Sequence, residues 1–460
     1  MTSPVELSAP SIRSVTPPSL SPSEIMERTR AREAALSRLL MAYIGSGLFF
    51  MLLPGTFLGV WNLVQISGNR SAASVAPSWL QAHGHAQVFG WVGSFILGIG
   101  YYSVPKFRNL AKPSFGLAWA CWIAWTLGVA ARWFANVYQW QWRSLLPISA
   151  ALELAAFLIF FRAVSQHTPD ASPKNRLEPW IWVVVTGSLG LLASLAFNLG
   201  ACIELARHSS GPALPHALDQ RFLVLIAWGF LVPFVWGFSS KWLPVFLGLK
   251  PLRPSLLFVA LAMNLTGIVL TFAGYGDQAT PLFVLAVAFA IAALRIFEPA
   301  LRRPKTRGVH FTFPFFIRVA YAWLLVAALL GVAAALWDSS GGIWGASRHA
   351  LTVGFIAVMV LCIGQRVLPA FAGMRLLWST RLMFAGLLLL TVGCTIRVSA
   401  EMLAYQGYAH SAWALLPGSA MLELAGITAF AANMFATFFL EPSHAYRESA
   451  TLETSELKGA

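Results

Sequence analysis

Three imidazoles head two otherwise apolar stretches: His83 and His85 in "HGHAQVFGWVGSFILGIGYYSVPKF", and His349 in "HALTVGFIAVMVLCIGQRVLPAF". A titratable ring in a segment long enough to cross a bilayer marks a functional position. Neutral imidazole ligates iron and copper through one ring nitrogen, and haem iron takes axial ligands on both faces. His85 and His349 each stand twenty residues before a proline, Pro105 and Pro369, which puts the two rings at one depth. The pair is therefore expected to hold a single metal or haem. Capping a helix end by a hydrogen bond is the plainer role for either ring alone. His83 sits two residues from His85, roughly 200° around a helix, and cannot address the same atom. A solvated position at the helix end is expected of it, with a haem edge or a second metal as its alternative contact.

Two carboxylates and two guanidiniums lie near mid-span in a second matched pattern. "LPISAALELA" from Leu146 and "LPGSAMLELA" from Leu416 share eight of ten residues and carry Glu153 and Glu423. Arg132 and Arg397 stand on the helices just before them, in "ARWFANV" and "IRVSAEM". A lone intramembrane charge is costly, so Arg132–Glu153 and Arg397–Glu423 are expected to pair and lock adjacent helices. Arg397 has Glu401 one turn on as another partner. A proton path through the acids, and neutralisation of haem propionates by the arginines, are the functional alternatives.

The elements that position these groups follow from composition. Of 460 residues, 57% are hydrophobic and 11% charged, whereas soluble domains carry about 25% charged residues. Apolar runs of spanning length, roughly 20 residues each, recur about twelve times, near 39–62, 80–105, 114–137, 144–165, 179–203, 222–247, 253–274, 280–299, 314–337, 348–371, 379–403 and 412–438. The chain reads as an all-α polytopic membrane protein. Residues 1–37 form a Ser- and Pro-rich tail leading into a short amphipathic helix, 38–440 the membrane domain and 441–460 a second tail. No secretory leader pattern opens the chain.

The net charge of +14 is a topology signal and not a nucleic-acid surface. Eighteen Lys and Arg lie in the tails and in the loops after even-numbered spans, including Lys106, Arg108, Lys112 and the Arg302–Arg307 run, against five after odd-numbered spans. By the positive-inside rule both termini are cytoplasmic, and the two histidine-bearing spans begin outside. Cys121, Cys202, Cys362 and Cys394 form no CxxC pair and read as packing residues. His208, His216 and His410 join the outer histidines without a ligand spacing that links them, so an outer copper site is a weak expectation.

Internal repetition sets the architecture. The His85 and His349 segments coincide at eight of twenty-three positions, and a weaker copy, "VLIAWGFLVPFVWGFSSKWLPVF", starts at Val224. These are spans 2, 6 and 10, so three pseudo-repeats of four helices are expected, at about 38–166, 178–300 and 313–440. A two-by-six transporter layout does not match that count.

At these residues a resemblance becomes specific. "HALTVGFIAVMVLCIGQRVLPAF" and the "HGHAQVFGW" stretch look like the two histidine-bearing segments of NnrS-type proteins, over roughly residues 38–440. The resemblance implies a twelve-span protein of the bacterial inner membrane, associated with the nitric oxide response and holding haem and copper. It marks His85 and His349 as cofactor candidates. The layout also resembles haem-copper oxidase subunit I, which holds a low-spin haem from spans 2 and 10. That likeness ends at the catalytic centre, because no histidine occurs between Phe222 and Tyr275 to build a binuclear copper site. Whether the chain is an enzyme stays open. The rivals are a single-haem oxidoreductase linked to quinol or cytochrome, and a transporter or metal-delivery factor. Apart from the lipid bilayer and an electron-transfer partner of unknown identity, no partner is implied.

Overall fold

A computed structural model of the chain describes residues 21–108, 114–166, 178–372 and 375–440. Twelve helices are long and apolar enough to cross a membrane, and no strand occurs among the described residues. They are α1 (Pro22–Asn69), α2 (Pro77–Phe107), α3 (Phe115–Tyr138), α4 (Trp142–Ser165), α5 (Pro179–His208) and α6 (His216–Leu247). The second half comprises α7 (Pro254–Phe272), α8 (Gly276–Leu294), α9 (Phe313–Trp337), α10 (Gly342–Phe371), α11 (Thr380–Tyr405) and α12 (Ala412–Phe439). Each coincides with one expected apolar run. The separate amphipathic helix expected before the first span is instead the N-terminal part of α1. A capping box starts it, with the Ser21 hydroxyl accepting from the Glu24 amide and the Glu24 carboxylate accepting from the Ser21 amide. Residues 1–20 and 441–460 of the expected tails lie outside the described residues.

Three helices are central. Of the apolar stretches of α2, α6 and α10, 67%, 67% and 72% is buried, against 33–44% in the other nine. The outer helices pack as the hairpins α3–α4, α7–α8 and α11–α12, extended by α4 against α5, α8 against α9 and α12 against α1, which gives three arcs of three helices.

The helical ladder loosens to π-geometry in four places: Met51–Phe57 in α1, Ala86–Gly93 in α2, Leu225–Leu231 in α6 and Ala350–Ala357 in α10. The last three begin on the residue after His85, Val224 and His349, the matched positions of the sequence. Single π-turns inside α-helices concentrate at functional sites. The glycine five residues after each matched position marks a close crossing. A Cβ on Gly90 would stand 2.7 Å from Phe50 Cβ of α1, and one on Gly354 would stand 2.5 Å from Trp323 Cγ of α9. At Gly229 the approach is backbone to backbone, since a Cβ on Gly190 of α5 would fall onto the Gly229 carbonyl.

Candidate functional site

His83 is placed by the first turns of α2, which Pro77 starts at a position where the missing N–H is harmless. Its ring is half-buried, and Nδ1 lies 2.9 Å from the Gly55 carbonyl of α1. That carbonyl also accepts from the Leu58 amide, and it lies in the π-segment of α1, where Pro54 breaks the regular helix ladder. Its neighbours are satisfied in the same way: Met51 O accepts from Gln87 Nε2 at 3.4 Å and Pro54 O from Trp133 Nε1 at 3.2 Å. The His83 ring lies over Gly59, where a Cβ would stand 2.6 Å from its Cε1. A carbonyl only accepts, so Nδ1 carries the proton and the neutral ring keeps its lone pair on Nε2.

His349 repeats this arrangement from α10. Its Nδ1 lies 3.0 Å from the Gly345 carbonyl and 3.1 Å from Glu401 Oε2 of α11, which leaves Nε2 as the free donor atom. Glu401 is itself 3.5 Å from Arg397 Nε, one turn earlier on the same helix. Gly345 is required there, because a Cβ would fall onto Glu401 Oε1. His83 lies in electrostatic range of both His349 and Arg397, and buried Glu423 in range of His349, Arg397 and Glu401.

His85 is held differently. Its Nε2 makes a buried 2.7 Å contact with Glu153 Oε1 of α4, and its ring stacks on Phe89 with centroids 4.6 Å apart. The two-residue spacing thus sends His85 toward α4 and His83 toward α1. His83 lies within electrostatic range of His349. His83 is not the solvated helix-end residue expected of it.

The expected ion pairs are replaced by other partners. Arg132 donates from Nη1 to Cys202 Sγ of α5 at 2.6 Å, while Glu153 turns to His85. Arg397 takes Glu401, and Glu423 Oε1 has no hydrogen-bond partner. The reason is register. Glu153 and Glu423 lie level with Gly128 and Gly393, where a Cβ would stand 2.8 Å from each carboxylate-bearing Cγ. The arginines come one turn, about 5.4 Å, further along, and reach past these acids. Sequence spacing showed Glu401 as a partner of Arg397, but nothing in it pointed to the Gly55 or Gly345 carbonyls.

All four cysteines are buried and unpaired. Among the described residues no group of three or more His, Cys, Asp and Glu side chains converges as a metal site. His208 sits in the open, 3.9 Å from Glu204, far from any such cluster. The family model described as NnrS protein matches residues 41–442, which takes in all twelve spans apart from the head of the first. No curated protein matches the chain. A match over that length, carrying both histidine-bearing segments, shows that the chain belongs to the NnrS family.

Proposed function

We propose that this protein is a haem-binding membrane protein serving the response to nitric oxide and related nitrosative stress. In this reading it lies in the bacterial inner membrane with both termini in the cytoplasm and the histidine end of α2 and α10 outward. The observation that carries the reading is the matched presentation of His83 and His349. In each, Nδ1 is tied to an oxygen acceptor and Nε2 is left as a lone-pair donor. Metal-ligating histidines are oriented by such contacts, which fix the tautomer and raise the basicity of the ligating nitrogen. The donor set therefore fits iron, and it fits copper equally. His83 and His349 would hold the group, and Arg397, whose Nη1 has no partner, would face its negative substituents. A bound haem iron or copper ion would supply a coordination site for nitric oxide. The three matching outer hairpins and the aligned π-segments support a grouping into three four-helix units around that centre.

Single substitutions on purified protein test the reading. His83→Ala and His349→Ala should each abolish or strongly alter the visible haem spectrum, since each removes one nitrogen that would hold the group. His85→Ala should keep the spectrum, because Glu153 engages its Nε2. A protein purified from haem-replete cells with neither haem bands nor copper would remove the reading. Loss of the spectrum in His85→Ala with His83→Ala intact would move the ligand pair to His85 and His349.

A further inference from the structure

The two arginine–carboxylate constellations are built alike and differ at one position. A Cβ on Gly128 would stand 2.8 Å from Glu153 Cγ and 3.0 Å from the Ser149 carbonyl; one on Gly393 would stand 2.8 Å from Glu423 Cγ and 2.9 Å from the Ser419 carbonyl. These contacts make α3–α4 and α11–α12 equivalent helix pairs at this level. Four residues on come Arg132 and Arg397; eight residues on come Asn136 and Glu401. Beside Arg397 the fourth-residue acid is present, 3.5 Å from Nε. Beside Arg132 it is a neutral amide.

The consequence is a buried cation without its carboxylate. Arg132 is 2% exposed, its Nη1 donates to the Cys202 thiol, and its Nε has no partner. Among the described residues no carboxylate oxygen lies within ion-pair distance of it: Glu153 is engaged by His85 at 2.7 Å, and Asp219 acts on Arg132 only at longer range. On α3 and the helices packed against it, four further buried side-chain atoms lack partners, namely Asn198 Nδ2, Ser149 Oγ, Ser78 Oγ and Asn136 Oδ1, together with Glu153 Oε2. Hydrogen bonds tie several of these residues together. Asn136 Nδ2 donates to the Ser78 carbonyl at 3.3 Å, and Cys202 Sγ to Asn198 Oδ1 at 3.6 Å. Buried polar atoms without partners are rare and destabilising, and four neutral atoms beside one unpaired cation outline a place for a ligand, while the Glu153 carboxylate is turned to His85. Four of these five groups can donate: the Arg132 Nε–H, the Asn198 amide and the two serine hydroxyls.

We infer that this buried polar cluster between α2, α3, α4 and α5 binds a small planar monovalent oxyanion, of the size of a carboxylate head, in the place that the Glu401 carboxylate takes beside Arg397. Nitrate, nitrite, formate and bicarbonate share that chemistry. Ser78 and Asn136 lie toward the histidine end of α2 and α3, so they line the approach to Arg132 from that face.

The test uses full-length protein in nanodiscs, with thermal unfolding and calorimetric titration against nitrate, nitrite, formate and bicarbonate in turn, and iodide as a monatomic control. At least one oxyanion should raise the melting temperature saturably by about 3 °C or more, and the arms identify which. Arg132→Gln should weaken half-saturation at least about tenfold, and Arg397→Gln should leave it unchanged. Asn136→Glu supplies the missing carboxylate from the chain itself. It should be at least as stable as the anion-loaded protein and no longer respond to any anion. The absence of a saturable oxyanion response in the wild type overturns the inference, as does an undiminished response in Asn136→Glu. If Arg132→Gln does not fold, these two outcomes decide alone.

Discussion

The free nitrogens of His83 and His349 depend on atoms that are not titratable at all. Gly345 is the sharpest case, because its missing side chain is where the Glu401 carboxylate sits. Gly345→Ala should push that carboxylate away from His349 and Arg397, lower the melting temperature and shift the cofactor spectrum. Gly84→Ala, at a position with nothing within 4 Å, is the control and should change neither. A Gly345→Ala protein that matches the wild type in both measurements would mean that Glu401 does not position His349. Removing one partner of the buried Arg397–Glu401 pair strands a charge. Arg397→Gln should therefore cost on the order of 3 kcal/mol, and adding Glu401→Gln should return part of it in a double-mutant cycle read by thermal unfolding. Strict additivity of the two losses would dissolve the pair as an energetic unit.

At the scale of elements, the helices approach one another where side chains are absent. The α5–α6 crossing brings Gly190 onto the carbonyl of Gly229, with no flexible side chain in between to yield. Gly190→Ala should therefore destabilise by at least the roughly 1–3 kcal/mol typical of overpacking, whereas Gly200→Ala, on the same helix in open space, should be neutral. Equal stability of the two variants would show that the crossing is looser than drawn. The same helices are clasped at their other end, where Lys241 Nζ lies 2.6 Å from Glu178 Oε2 and Trp180 Nε1 donates to that oxygen at 2.9 Å. The Lys241 ammonium holds the Glu178 carboxyl below the usual carboxylate range. A depressed folded-state pKa gives stability that is present above the unfolded value and lost as pH falls through the folded one. The clasp should thus weaken only in acid. Because both side chains are substantially exposed, Glu178→Gln should cost no more than about 1 kcal/mol near neutral pH. A larger loss, or one unchanged in acid, would contradict an electrostatic clasp.

For the whole molecule, the asymmetry of Lys and Arg between alternate loops orients the bundle. Single cysteines at Ser74, Gly211 and Asp338 should react with a membrane-impermeant thiol reagent in intact cells, and a cysteine at Lys305 only after permeabilisation. The four native cysteines are all buried, so the background is low. Labelling of Gly211 only in permeabilised cells would break the twelve-span order. That order also explains why the candidate site is central. The helices that carry His83, His85 and His349 are two of the three buried ones, and the other nine screen them from lipid.

The sequence alone determined the number of spans, their approximate limits and the family. Each of these rests on local hydropathy or on residue identity at a fixed spacing, which survive without knowledge of contacts. The three buried helices, α2, α6 and α10, are the ones whose segments align with one another in the sequence. The partners of the charged and imidazole groups were decided only in three dimensions. Arg132 and Glu153 are matched by type, yet a one-turn offset against Gly128 sends the acid to His85 and the arginine to Cys202. The Gly55 carbonyl that anchors His83 lies where α1 loosens into a π-turn at Pro54, and no periodicity of apolar residues announces such a turn. Helical spacing showed that His83 and His85 face different ways; that His83 meets Gly55 of α1 and His85 meets Glu153 of α4 depended on how those helices pack around α2, a property of the assembled bundle and of no single segment.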